Sequence, residues 1–324
     1  MDAVSVDGLA RRGGSGYRWG MSTDTTPQLL DGRALAESIR QEFAPEVQSM
    51  IDGGNRPRLV VVQVGENEAA QAYIRGQRRG AEKWNLDFHL EVLPGDSTEQ
   101  GVRRAIRQLN ADKNVSGILL SLPLPDGLGT RSLQHEIHPS KDVEGVHPEN
   151  LGGLMWARYG LLPCTALASL ALIDQSGIEL EGKEAVVVGH SEIVGKPAAL
   201  LMLARNATVT VCHKFTGDLA SHTKNADVLV VAVGKAGLIT ADMVKEGAVV
   251  IDVGINAVPS DEGPGRMRLV GDVAYDEVAP KCAAITPVPG GVGPVTVAML
   301  MRNTVLAARG MPAPDDPSQL PLFS

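Results

Sequence analysis

Two stretches of this 324-residue chain pair small residues with restricted backbone, a combination that lets a ligand lie against the main chain. At 186–197 the sequence runs Val-Val-Val-Gly-His-Ser-Glu-Ile-Val-Gly-Lys-Pro, from a β-branched run into a helical pattern. A turn of small residues at that junction admits a pyrophosphate to backbone N–H groups at the positive end of a helix. Gly189, His190, Ser191, Ile193, Val194, Gly195, Lys196 and Pro197 are therefore candidate dinucleotide contacts. The spacing is not G-x-G-x-x-G, so the generic fingerprint is absent and a tight structural turn is the competing reading. At 286–296, Thr-Pro-Val-Pro-Gly-Gly-Val-Gly-Pro-Val-Thr holds three glycines and three prolines. Glycine permits close approach to a planar ligand and proline restricts the loop in advance. Pro289, Gly290, Gly291 and Gly293 are thus a candidate binding wall, with a rigid connector as the alternative. Leu122-Pro123-Leu124-Pro125 and Lys141-Asp142-Val143-Glu144-Gly145 add two segments at strand-end loops, where open α/β sheets place ligands.

The elements that must position these segments follow from apolar spacing. Leu35, Ile39, Phe43 and Val47 predict a helix over 31–51, and the β-branched run 58–64 predicts a strand ending at Gly65. The order repeats as helix 69–84, strand 88–93, helix 99–110 and strand 117–122, stopped by Pro123 and Pro125. The second half predicts helix 166–176, strand 184–189, helix 196–204 and strand 208–212, then strands at 228–233, 249–253 and 284–285. Such alternation implies an α/β fold with mostly parallel sheets, and the length suits roughly two domains. The expected division is a disordered extension at 1–27, a first α/β lobe at 28–148 and a Rossmann-like lobe at 149–294. A closing helix at 295–308, within a segment 295–324, is expected to return to the first lobe. The Gly-, Pro- and Asn-rich stretch 141–153 is the expected boundary. Met21 is a possible alternative start.

Composition excludes several classes. Acidic residues outnumber basic ones 38 to 30, a net charge of −8 with no Lys/Arg cluster to carry a phosphate backbone, so nucleic acid is not an expected partner. No apolar run approaches the ~20 residues of a membrane span. Cys164, Cys212 and Cys282 are odd in number and too widely spaced for a C-x-x-C pair, which points to reduced cytosol. One adjacent Cys212-His213 pair offers too few ligands for zinc, and no metal is expected.

Taken together, these segments resemble the bifunctional methylenetetrahydrofolate dehydrogenase/methenyltetrahydrofolate cyclohydrolase (FolD) family, from about residue 30 to 308. The carriers, in family order, are Tyr73 with its following helix, Gly-Ile-Leu-Leu-Ser-Leu-Pro-Leu-Pro at 117–125, the turn at 189–197 and the loop at 286–296. The resemblance implies a folate in the cleft against Leu122, Pro123 and the 289–293 wall. It also implies an aminobenzoyl ring on Tyr73, a nicotinamide dinucleotide on the second lobe, and a homodimer through the second lobes. His213, Lys214, Gly234, Ile255 and Thr296 join the dinucleotide contacts on the same ground. Neither His190 nor Lys214 is acidic, and Lys214 can meet a 2′-phosphate, so NADP is favoured over NAD.

Three departures carry the sharpest expectation. Family members that hydrolyse the methenyl product read Tyr-x-x-x-Lys, whereas this chain has Tyr73-Ile74-Arg75-Gly76-Gln77. Ser121 stands for the family's Gln, and Glu144 for the second Asp of Lys-Asp-Val-Asp-Gly. Hydride departure from the one-carbon bridge is driven by flanking nitrogen lone pairs, so positioning suffices. Ring opening needs water attack and proton movement, which a lysine supports and a glutamine amide does not. Arg75, Arg78 and Arg79 stay protonated and make poor bases. The expectation is a dehydrogenase with weak or lost cyclohydrolase activity, acting on a tetrahydrofolate derivative. The alternatives are hydrolysis through Glu144 as a relocated base, a paralogue for a modified folate, and a non-catalytic folate binder.

Overall fold

In the computed structural model, residues 26–260, 263 and 266–310 are described. The expected extension at 1–27 lies almost wholly outside them, as does 311–324. The elements in chain order are β1 (Gln28–Leu29), α1 (Gly32–Asp52), β2 (Arg58–Val64), α2 (Glu68–Lys83), β3 (Asp87–Leu93), α3 (Glu99–Ala111), β4 (Gly117–Leu120), α4 (Thr130–Gln134), α5 (Pro148–Met155) and α6 (Cys164–Gln175). They continue with β5 (Glu184–Val188), α7 (Gly195–Ala204), β6 (Thr208–Cys212), α8 (Leu219–Thr223), β7 (Val228–Val231), β8 (Val249–Asp252), β9 (Asn256–Pro259), β10 (Met267–Val270), α9 (Tyr275–Val278), β11 (Ala284–Ile285) and α10 (Val292–Arg309).

Local chemistry sets these limits. Asp31 caps α1 by accepting from the Arg33 and Ala34 backbone N–H groups, and the buried face of that helix is Leu35, Ile39, Phe43 and Val47. Asn67 caps α2 through the Ala70 N–H. The strands β2, β4, β5, β7 and β8 are nearly continuous buried Val, Ile and Leu, the pattern of parallel strands covered on both faces.

The first lobe is a three-stranded parallel sheet in the order β3-β2-β4, and the second a six-stranded parallel sheet in the order β1-β11-β8-β7-β5-β6. From β5 the chain crosses to β6 on one side and then to β7 on the other, so the topology reverses beside β5. Ligands in open α/β sheets bind outside the carboxyl ends at such a reversal. The closing helix α10 leaves the second sheet and packs on α1, α2 and α6, as well as on β2 and β4. Val295, Met299 and Val305 are fully buried along it, each burial worth roughly 1.5–3 kcal/mol.

The structure departs from the sequence reading in three places. Strand β1 pairs with β11, so the chain touches the second sheet before building the first. The 141–153 stretch is not a plain loop: Pro148 begins α5, because proline at the first helical position costs no hydrogen bond. The hairpin β9–β10 was not anticipated; its short, half-polar strands show no clean alternation. Among the described residues, no helix is long and apolar enough to cross a membrane.

Candidate active site

The second-lobe contacts gather along one edge. The 189–197 turn follows β5, His213 and Lys214 follow β6, Gly234 lies past β7 and Ile255 past β8, all beyond the carboxyl ends of neighbouring parallel strands. Glycine at two of these positions is a geometric requirement. Gly189 has φ +122°, and a Cβ there would overlap the Ala232 carbonyl; a Cβ on Gly195 would overlap the Gly189 carbonyl. The turn is thus folded against its own backbone ahead of the ten-residue helix α7, and Ser191 Oγ accepts from the Val194 N–H at 3.2 Å. The His190 and His213 rings lie 5.0 Å apart, and the Lys214 ammonium sits 4.8 Å over the Phe215 ring. This edge is a cradle of backbone and cationic side chains that fits an anionic dinucleotide. Thr296 lies one turn into α10, where its hydroxyl donates to the Val292 carbonyl.

Two buried carboxylates that sequence reasoning missed tie this edge together. Asp272 accepts from the Val233, Gly234 and Lys235 N–H groups at 2.7–3.0 Å and from Asn256 Nδ2 at 2.9 Å. Asp252 accepts from the Gly254, Asp272 and Val273 N–H groups, and its own N–H donates to Thr286 Oγ1 at 2.8 Å. Burial raises the Asp252 acid to about 6, against the pull of those three donors. The loops after β7 and β8 are thereby fastened to the start of the 286–296 wall. The available signal was an acid closing a wholly apolar strand, Val-Val-Ile-Asp.

The first-lobe residues meet at the carboxyl end of β4. Asp142 bridges in parallel to Ile118, so the segment that carries Glu144 runs beside β4. Asn303 of α10 donates to the Val143 and Leu162 carbonyls at 2.9 Å and pins this segment. Burial first, and then the nearby Asp142 charge, push the Glu144 acid up to about 7, while the Gln134 amide works against the rise. Gln134 was missed by the sequence reading and is itself buried. Lys141, the lysine nearest Glu144 in sequence, is committed elsewhere: its ammonium donates to the Leu109, Asn110 and Asp112 carbonyls at the end of α3.

Tyr73 and Gln77 are four residues apart on α2 and so share a face. Tyr73 is 60% exposed, so its ring is open to a ligand. Gln77 is partly buried, and its Oε1 is enclosed without a protein hydrogen-bond partner. Arg78 turns away, as its position on the helix requires, and lies 5.1 Å over the Phe88 ring. Leu122-Pro123 and Val288-Pro289 are cis peptides in the two walls.

The two edges face each other. Arg131 of α4, beyond the Leu-Pro-Leu-Pro segment, reaches Glu192 of the dinucleotide turn at 3.0 Å. The Gly32 N–H donates to the Gly290 carbonyl at 3.0 Å, holding the 286–296 wall against α1. No group of three or more potential metal ligands occurs among the described residues.

Comparison with known proteins agrees with this division. The tetrahydrofolate dehydrogenase/cyclohydrolase catalytic-domain family matches residues 30–144, and the corresponding NAD(P)-binding-domain family matches residues 163–311. The bifunctional protein FolD of Moorella thermoacetica is 47% identical over 282 residues, covering 87% of this chain and 99% of the relative. The FolD methylenetetrahydrofolate dehydrogenase/cyclohydrolase of Campylobacter jejuni superposes with a TM-score of 0.83 at 43% identity, over 87% of this chain and 99% of that one. The Trypanosoma brucei enzyme, solved with NADP cofactor and inhibitor, gives 0.84 at 36% identity over 88% and 98%.

Proposed function

The chain belongs to the tetrahydrofolate dehydrogenase/cyclohydrolase family, and from that premise we propose that it oxidises 5,10-methylenetetrahydrofolate with NADP while opening the methenyl ring only weakly. The observation that carries the second half is the Gln77 amide, set on the same α2 face as Tyr73 where the resemblance expects a lysine. An amide neither takes up nor releases a proton near neutral pH, so it cannot follow water attack with proton transfer.

Bound NADP supplies the hydride acceptor. The chain's own residues hold the partners: the 189–197 turn takes the pyrophosphate, Lys214 and His190 lie toward the adenosine ribose, and the 289–293 wall confines the pterin. Tyr73 offers a flat surface to the aminobenzoyl ring. Glu144 meets the pterin edge, and a carboxyl poised near 7 accepts or donates there according to pH. Holding donor and acceptor in register lowers the barrier without a general base, because substrate nitrogen lone pairs stabilise the cation as it forms. The protein acts in the cytosol as a homodimer through its second lobes, with Gln77, Ser121 and Glu144 as the remodelled folate side.

A second reading of the residual hydrolysis is favoured by one observation, the raised Glu144 acid. A carboxyl near 7 is matched to general-base work at neutral pH. Residual ring opening is then expected to rise as pH passes upward through about 7, where Glu144 loses its proton, and to vanish in Glu144→Gln.

The deciding experiment assays the purified protein with methylenetetrahydrofolate and each dinucleotide, and separately with methenyltetrahydrofolate. Reduced dinucleotide forming faster with NADP, together with slow hydrolysis, supports the reading. No reduced dinucleotide with either one contradicts the oxidoreductase half, and rapid hydrolysis contradicts the other.

A further inference from the structure

Two carboxyls, Asp142 and Glu144, sit two positions apart on the segment that leaves the first lobe, and their surroundings treat them differently. Asp142 is 1% exposed, yet donors fill its carboxylate. Oδ1 accepts from the Gly145 N–H at 3.2 Å, and Oδ2 accepts from the His147 N–H at 2.7 Å and from Asn150 Nδ2 at 3.0 Å. Burial pushes the Asp142 acid up, and these three donors, with the His147 ring, pull it back. For Glu144, burial and the Asp142 charge both push the acid up, and the Gln134 amide of α4 is the opposing group. The proton of the pair therefore rests on Glu144, and Asp142 carries the charge.

The same carboxylate shapes the chain around it. The Gly145 N–H also donates to the Asp142 carbonyl at 3.0 Å, so Val143 and Glu144 are the central residues of a β-turn that the Asp142 side chain closes from within. Other elements tie the turn down. Asn150 Nδ2 also reaches the Pro139 carbonyl at 3.0 Å, the Cys164 thiol donates to the Val143 carbonyl at 3.1 Å, and the Cys164 N–H donates to the Glu144 carbonyl at 3.2 Å. With its backbone fixed on both sides, Glu144 keeps only side-chain freedom. The groups that face it are Asp142 on its own segment, Gln134 from α4 and the Cys164 thiol from α6. Burial, then the two carboxyls, hold that thiol well above its usual range and so uncharged. Arg302 of α10, lowered to about 10 by burial and still cationic at neutral pH, faces Cys164 and Glu42.

Resting on the folate reading above, we propose that Asp142 is a positioning residue of the folate site: its carboxylate fixes the turn that presents Glu144 and sets a lasting negative charge beside it. Two neighbouring carboxyls divide their roles when donors satisfy one and leave the other to its neighbours. Asp142 is the fixed charge, and Glu144 is the carboxyl that exchanges a proton at the pterin edge. Removing the fixed charge, at constant side-chain size, lets Glu144 ionise at lower pH and loosens the turn.

The test follows two signals on the full-length protein across neutral pH: the dissociation constant of tetrahydrofolate, and the infrared band of the protonated carboxyl that Glu144→Gln removes. In the wild type the dissociation constant is expected to fall as pH rises through about 7, because the carboxylate is the form that accepts from pterin N–H groups. In Asp142→Asn the inflection and the infrared titration should both move down by about one pH unit. The dissociation constant above the inflection should rise about threefold to tenfold. In a Glu144→Gln background the same substitution should shift no inflection. A wild-type dissociation constant that is flat with pH, an inflection that stays in place in Asp142→Asn, or one that still moves without Glu144, overturns the proposal. Should Asp142→Asn fail to fold, Asn150→Ala withdraws one donor and leaves the charge; it is expected to weaken tetrahydrofolate about threefold, and an unchanged dissociation constant there overturns the proposal. No tetrahydrofolate binding at any pH contradicts the folate reading instead, and the infrared titration of Glu144 then decides the role of Asp142 alone.

Discussion

The dinucleotide edge satisfies its own polar groups, and the folate edge does not. Around the second-lobe loops, Asp252 and Asp272 take up backbone N–H groups from three loops, and the turn at Gly189 is locked by contact with its neighbours. Across the cleft, Gln77 Oε1 is enclosed without a protein partner, and burial pushes the Glu144 acid up to about 7. An enclosed polar atom without a partner costs about 1–3 kcal/mol, so it persists where a ligand completes it or where the site has been altered. One side of the cleft is a finished mould, and the other leaves an enclosed polar atom at Gln77 for a ligand to complete.

The largest expected effect breaks the comparison at Gln77. Replacing Gln77 with Lys restores a titratable amine and is expected to raise methenyltetrahydrofolate hydrolysis by about 10²–10⁴-fold, while the dehydrogenase rate moves far less. An unchanged hydrolysis rate would place the defect at Ser121 or Glu144. On the finished side, Gly189→Ala forces a left-handed residue and a backbone overlap. It should destabilise the fold by at least about 2 kcal/mol in thermal melts and raise the dinucleotide KM more than the folate KM.

Glu144 sharpens the comparison through pH. Its folded acid, at about 7, stands above the ordinary 4.5, so the folded state holds the proton more tightly than the unfolded one. The associated stability is fully present below about 4.5 and is lost as pH rises through about 7, a change of up to about 3 kcal/mol. Denaturant melts of Glu144→Gln across that range should lack this slope. The smallest effect belongs to the Arg131–Glu192 bridge, whose side chains are largely exposed. Arg131→Ala should cost no more than about 1 kcal/mol by the same melts, with both activities kept.

Much of this was legible in the sequence. Gly189, Pro289 and the β-branched runs announce a sheet edge and its turns because backbone restriction is written in residue type. Gln77, Ser121 and Glu144 stood out against a resemblance. Hidden were the effects of distance: Asp252 and Asp272 are 20 residues apart and meet through backbone donors, which no local pattern records. Lys141 reads as part of a ligand loop, yet it caps α3. Strand β1 stayed hidden for a different reason: a two-residue strand that pairs with β11 carries too little pattern to detect.

The account rests on an oxidation that outlives the ring-opening step, and a single progress curve weighs the two. With methylenetetrahydrofolate and NADP supplied together, NADPH and the methenyl product should be followed at once. The account predicts that methenyltetrahydrofolate accumulates nearly one for one with NADPH. NADPH appearing while the methenyl species stays at a low steady level, drained into the ring-opened product, would contradict it.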